Sequence, residues 1–508
     1  MFETLHDLGL ATCVKTPISG IDMMLVGFAY VDDSDLFTYS TTHDVQETVK
    51  KMQQIVDAWE KTAKITGGAI APVKCWWYLI NFEWDDNGNW KYGSNVQDCE
   101  TVLTACDADN NIQSIQKLHV SKAQEMLGVY IAPDGNNDVQ YEQLVARTKQ
   151  LGDKMRTTYC YNHEAWIGLT TIAMKSIEYC LPATTLSKVQ CDNIMWQLIK
   201  EFLPRAGINR YIKRDILYAN HTIQGLGLKS LYLTQGISHI AELIEHQWKN
   251  SITGHFQMMS LECLRLELGV NANILSSNYS KYKDIILTTS WITHTWDFMS
   301  TNHITLNISI PEIPIDRIND CNIMEKINDN SQLSKSEKII ANKCRIFLQA
   351  FNLSDIVTGN GRSISNDAWN GHKSDNRDHR LNWPLWGQPS SSMWKTWQAV
   401  LRKIFCSVQG TYLDQPLGKW IRIPTSWKWY SNGDVLIYKK NDGSILNHPR
   451  TTESHRRPQF STQGEIINKL SHRSLVPTTI KHVNESIFHE GIACICDSEE
   501  HSNLLSHP

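Results

Sequence analysis

The chain has 508 residues, of which 41% are hydrophobic and 20% charged, with a formal net charge of −4. That length allows several domains and a large buried core. The charge excludes a polycation, so any nucleic-acid role has to come from a local basic surface.

In chain order, the first predicted element is a strand over the apolar run Met23–Val31. The stretch "DDSD" (32–35) supplies a turn and "LFTYS" (36–40) returns. A helix is predicted over 43–66, where Val45, Val49, Met52, Val56, Trp59 and Ala63 form one apolar stripe. Thr42 suits its N-cap, Asp44 favours its first turn, and Gly67-Gly68 stop it. An aromatic strand follows over 71–84, then an Asn87-Gly88 turn and the return "WKY". Residues 125–132 read as a further apolar strand, closed by the turn "PDGNN". The spacing becomes helical over 141–250 and stays so over 251–307.

Residues 308–380 are rich in Asn, Ser and Asp and read as a polar linker with a short helix near 336–351. Eight of the 18 tryptophans fall between Trp369 and Trp429, so 381–445 reads as a Trp-rich module packed as its own unit. Residues 446–508 read as a polar tail whose composition is open to disorder. The 13 cysteines lack a CxxC pair and read as reduced thiols. With no secretory leader and no apolar run near the ~20 residues of a membrane span, the expectation is an intracellular protein, cytoplasmic or nuclear, without a membrane partner.

The chemistry concentrates at Asp32 and Asp33. Adjacent carboxylates repel, and a neighbouring apolar strand makes each costly to desolvate. Surface turns favour Asp for structural reasons alone. A hairpin turn can also aim two carboxylates at one accessible spot, where a divalent cation relieves the repulsion. Such a pair suits a two-metal phosphoryl-transfer site.

"FAYVDD" (28–33) resembles the central motif of reverse transcriptases, in which an aromatic residue, one variable residue and two Asp cap a palm hairpin. Later segments resemble the same family in order. Helix 43–66 is similar to the palm helix, "GGAIAPVKCWWYLI" (67–80) to the next palm segment with its Lys, and "EMLGVYIAPDG" (125–135) to the primer-gripping "LGV" of LINE-like, non-LTR retroelement enzymes. "GLGLKSLY" (225–232) is similar to a segment after the thumb, with Gln224 in place of a glycine. The resemblance implies an α+β fold: a partial polymerase palm over 1–140, an antiparallel sheet with a packed helix, then a helical thumb over 141–250 and a mostly α C-terminal extension. It implies RNA-directed DNA polymerase chemistry with Mg²⁺ (or Mn²⁺) on Asp32 and Asp33, and Lys74 near the triphosphate. Tyr30, Leu127, Gly128 and Val129 would meet nucleotide or primer. The partners would be an RNA template, a DNA primer and deoxynucleoside triphosphates.

In that family a third Asp lies on a strand well before the hairpin. Here 31 residues precede Asp32, with Asp7 and Asp22 the aspartates among them. The expectation is an N-terminally truncated enzyme, weak or inactive as given, because positioning the triphosphate is most of this catalysis. Residues 146–229 hold twelve Lys/Arg against six Asp/Glu. Lys200, Arg205, Arg210, Lys213 and Arg214 are the candidates for phosphate contact. The alternative is a non-catalytic nucleic-acid-binding or interaction protein derived from a retroelement.

Overall fold

The computed structural model describes residues 1–31, 33–40, 44–93, 101–247, 249, 251–358, 361–373, 381–407, 410–418 and 421, with strands at 429–431, 435–439 and 445–449. The chain is α+β: small sheets at the N-terminal end, then a long run of helices.

Helix α1 (Phe2–Asp7) is followed by β1 (Thr12–Lys15) and β2 (Asp22–Leu25), an antiparallel pair in register Thr12↔Leu25. β3 (Gly27–Tyr30) and β4 (Asp33–Leu36) form the next hairpin. The single strand expected over Met23–Val31 is therefore broken at Val26. That residue turns inward to a small core with Leu5 and Ile55, so the chain changes partner there. Gly27 follows because the chains close up: a Cβ at Gly27 would lie 2.3 Å from the Asp35 carbonyl.

The predicted helix is α2 (Val45–Ile65). Its cap is Asp44, which accepts from the Gln46 amide at 2.9 Å; Thr42 lies outside the described residues. Two faces of α2 are buried. Val49 and Val56 pack under the sheet of β5 (Trp76–Tyr78), β8 (Leu103–Cys106) and β9 (Ile112–Leu118), and Ile55 packs toward α1. The stripe read from the sequence contained only part of this surface.

The aromatic strand expected over 71–84 is two strands. Pro72 opens a 3-10 turn, Pro72–Lys74, ahead of β5, and β6 (Phe82–Trp84) pairs with β7 (Trp90–Tyr92). Their turn is at Asn87-Gly88 as expected: Asp85 Oδ1 accepts from the amides of Asn87 (2.9 Å) and Asn89 (2.8 Å), and Gly88 takes φ +69°. Residues 125–132 are also two strands, β10 (Gln124–Met126) and β11 (Val129–Ile131), joined at Leu127-Gly128. The described strands make six separate small sheets, with β5 parallel to β9, rather than one antiparallel palm sheet.

Helices α3 (Asp138–Thr157) and α6 (Lys188–Arg205) cross closely at Gly152, where a Cβ would meet the Gln197 carbonyl at 2.8 Å. Between them α4 (Asn162–Ile167) runs through a π-helical turn into α5 (Met174–Glu178). With the short α7 (Arg214–Tyr218) and the start of α8 (Leu231–Gln247) they enclose one core containing Leu169, Ile177, Ile194 and Leu198.

A larger core follows. It is built by α9 (Ile252–Leu268), α10 (Trp291–Thr301), α11 (Ile323–Asp329), α12 (Lys335–Leu348), α13 (Asn366–Asn370) and α14 (Ser391–Ile404). The segment expected as a linker contributes Ile323, Met324, Ile327 and Leu348 to this core, and Trp394 and Trp397 of the expected Trp module pack into it too. The asparagines that suggested a linker are caps and buried donors: Asn322 caps α11, and Asn342 donates to the Glu267 carbonyl at 2.9 Å. Strands β12 (Trp429–Ser431), β13 (Val435–Lys439) and β14 (Ile445–Pro449) form an antiparallel sheet; the expected tail beyond 449 lies outside the described residues.

Buried charge ties these parts together. Arg345 is fully buried and donates to the carbonyls of Leu266 (2.7 Å), Glu267 (2.7 Å) and Ala350 (3.0 Å) and to Asn342 Oδ1 (2.8 Å). It thus neutralises the C-terminal ends of α9 and α12 together. Glu262 accepts from the amides of Ile18 (2.6 Å) and Ser19 (3.0 Å), docking the β1–β2 loop on α9. Lysine cannot reproduce the planar fork of Arg345. Arg345→Lys is expected to cost about 3 kcal/mol in urea unfolding, since two or more carbonyls are left without a donor.

The loop before α6 is held by α8 and α10. Gln235 Oε1 accepts from the Leu186 amide at 3.0 Å, and Trp291 Nε1 donates to the Pro182 carbonyl at 3.0 Å. His239 is buried in this joint, its ring centroid 5.7 Å from that of His294. Burial, aided by the His294 charge, pushes the His239 pKa down from 6.5 to about 4. The unfolded chain then binds more protons between those values, so stability rises with pH through the window and is lost as pH falls below 6.5. Equilibrium unfolding followed against pH should show a slope of up to ~1.4 kcal/mol per pH unit from this group, flattened in His239→Gln.

Candidate active site

The β3–β4 hairpin is the structural form of "FAYVDD". Tyr30 pairs directly with Asp33, which puts Val31 at the tip of a tight turn. Asp32 lies outside the described residues. Val31 takes φ +57° and is 88% exposed. The left-handed region is unfavourable for a β-branched side chain, so this tip is held under strain.

Residues opposite each other on paired strands point to one face, and so do residues i and i+2. Phe28, Tyr30, Asp33 and Asp35 therefore share a face, with the pairs Phe28↔Asp35 and Tyr30↔Asp33. Leu36 lies on the other face and packs against the core of Leu5, Val26 and Ile55. Asp35 is the residue that the sequence alone hides, because "DDSD" reads as a turn. The signal was there in the alternation Asp33-Ser34-Asp35. Two carboxylates at this spacing stand about 6.6 Å apart along the strand. Burial raises the Asp35 pKa, and the Asp33 charge raises it further. Among the described residues neither Asp33 nor Asp35 makes an ion pair, and their hard oxygen donors are of the kind that Mg²⁺ or Mn²⁺ takes. Among the described residues no cluster of three His, Cys, Asp or Glu comes together; Asp32 is not among them.

Lys74 ends the 3-10 turn before β5 and is exposed, rather than sitting on a strand. No hydrogen bond or ion pair joins it to Asp33 among the described residues. Leu127 and Gly128 are the tip of the β10–β11 hairpin, with φ of +50° and +80°, and a Cβ on Gly128 would lie 3.6 Å from the Tyr179 ring. Val129 is buried among Leu144, Leu169 and Ile177, which makes it a core residue of the helical unit. The "LGV" segment therefore presents two residues to solvent and uses the third to anchor the hairpin on α3–α6.

The basic candidates lie at the end of α6 and just beyond. Lys200 donates to Gln197 Oε1 at 3.0 Å, and Arg205 donates to the Arg156 carbonyl at 2.6 Å. The Arg210 guanidinium lies 5.0 Å from the Tyr211 ring centroid, and that of Arg214 lies 5.8 Å from Trp196. Lys213 is the residue before α7 and is exposed. None of Arg210, Lys213 or Arg214 is ion-paired among the described residues. A cavity of about 290 Å³ between α8 and α9, lined by Ile21, Leu243, His246 and Met258 among others, includes none of the sequence-derived candidates.

Comparison with family models, with curated proteins and with solved structures finds no match. No helix among the described residues is long and apolar enough to cross a membrane.

Asparagine tolerates the left-handed region that valine resists. Val31→Asn should therefore raise stability by about 1 kcal/mol in thermal or urea unfolding. A neutral or destabilising result would mean that the tip is unstrained.

Proposed function

We propose that the chain is derived from an RNA-directed DNA polymerase of the LINE-like retroelement type and that the β3–β4 hairpin is its metal-carboxylate turn. The observation that carries this reading is the tight hairpin itself: Tyr30 pairs with Asp33 across a strained Val31 tip, and Asp35 stands on the same face. In this role Asp32 and Asp33 hold Mg²⁺ or Mn²⁺, with Asp35 lending its charge from one step along the strand. The bound ions would activate a primer hydroxyl and neutralise the leaving pyrophosphate. Tyr30 presents its ring beside the carboxylates, and the Leu127-Gly128 tip supports a primer end. Lys74 serves the triphosphate only if it is brought to the hairpin.

The guanidinium groups beyond α6, free of ion pairs among the described residues, support the second half of the reading, in which the helical unit binds the nucleic-acid backbone. They also favour the alternative, a retroelement-derived nucleic-acid-binding protein without turnover. Positioning dominates phosphoryl transfer, so a carboxylate turn without an engaged lysine works slowly.

Extension of a DNA primer on an RNA template separates the readings. The chain should incorporate nucleotides slowly, only with Mg²⁺ or Mn²⁺, and Asp32→Ala or Asp33→Ala should abolish the signal. Incorporation that survives both substitutions would remove the hairpin from the chemistry. Binding with no incorporation by any form would favour the alternative.

A further inference from the structure

Trp196 and Tyr211 were not among the residues the sequence drew attention to, yet they complete a pattern with two that were. The Tyr211 ring centroid lies 6.2 Å from that of Trp196. The Arg210 guanidinium stands 5.0 Å from Tyr211 and that of Arg214 stands 5.8 Å from Trp196. The four side chains form a ladder: cation, ring, ring, cation. Tyr211 is 70% exposed, although a tyrosine serving the core would bury its ring. Its position is set locally, because Asn209 Oδ1 accepts from the Tyr211 amide at 2.9 Å. Arg214 is steadied by the Ile212 carbonyl at 3.4 Å. From Trp196 to Ile216 the sequence carries Lys200, Arg205, Arg210, Lys213 and Arg214 against Glu201 and Asp215.

We infer that this ladder is a binding platform for unpaired nucleic acid, with a base stacking at the exposed Tyr211, Trp196 backing that ring from the helical core, and phosphates held by Arg210, Lys213 and Arg214. The inference rests on the nucleic-acid-binding part of the proposed function and adds the class of strand. Each half of the ladder matches one half of a nucleotide. Aromatic rings take the π-face of any base with little sequence preference. Guanidinium groups take phosphate with directional hydrogen bonds, and they remain charged at all working pH values. An acidic peptide would satisfy the cations and leave the rings without a partner. A blunt duplex would satisfy the cations too, but it keeps its bases stacked on each other.

Fluorescence anisotropy of the full chain with labelled oligoadenylate RNA tests this, against a duplex, an abasic strand of the same length and polyglutamate. The single strand should bind more tightly than the duplex or the abasic strand, and polyglutamate should compete poorly. Tyr211→Ala should weaken single-strand binding about tenfold without changing its salt slope, and Tyr211→Phe should retain it. Arg210→Ala with Arg214→Ala should make the salt slope shallower by about 0.7 for each phosphate that is no longer neutralised. Equal binding of abasic and normal strands, indifferent to Tyr211→Ala, would overturn the stacking platform while leaving backbone binding intact. Absence of any salt-sensitive binding would overturn both the platform and the nucleic-acid reading of the helical unit.

Discussion

The carboxylate hairpin depends on one small buried cluster. Leu36 on the inner face of β4 and Val26 just before β3 pack with Leu5 of α1 and Ile55 of α2. A two-stranded ribbon has little stability of its own in water. One carrying two carboxylates on a single face also works against their repulsion. Burial at the Gly27–Leu36 end offsets both costs, and the register puts Tyr30, Asp33 and Asp35 on the face opposite Leu36. Gly27 is part of the same constraint, since any side chain there would press on the Asp35 carbonyl.

The N-terminal sheets are in turn fixed to the helical bulk by buried polar groups. Glu262 captures two amides of the β1–β2 loop, and the Asn382 amide donates to the Pro17 carbonyl at 2.8 Å. Arg345 closes the ends of α9 and α12. Removing one partner from such an arrangement exposes the desolvation cost of the other, so these groups set where the elements sit even where their net contribution to stability is small.

Elements with a strong local signal were legible in the sequence. Helix α2 was readable from its apolar spacing and the β6–β7 turn from Asn87-Gly88, whereas the turn expected over 32–35 sits one step earlier, with Asp33, Ser34 and Asp35 already paired in β4. What could not be read depends on partners distant in sequence. Val26 breaks a strand because Leu5 and Ile55 bury it. Leu127-Gly128 hid a turn inside an apolar run, because leucine seldom takes a positive φ. Asn342 and Arg345 fall in the short helix of a segment that reads as a polar linker, and only the carbonyls they meet explain their burial. At the candidate site, Asp33 stood out in the sequence and Asp35 did not, because the face it shares with Asp33 follows from strand register. Trp196 and Tyr211 are fifteen residues apart in the chain, and the sequence offers no period that pairs them.

The proposed role of the hairpin requires its outer face to take up a divalent cation. Its most direct measurement is a Mn²⁺ titration of the full chain followed by electron paramagnetic resonance, with Asp32→Asn/Asp33→Asn as the comparison. The unmodified chain should show saturable Mn²⁺ uptake that Mg²⁺ competes away and that the double variant lacks. Equal uptake by both proteins, or none by either, would contradict it.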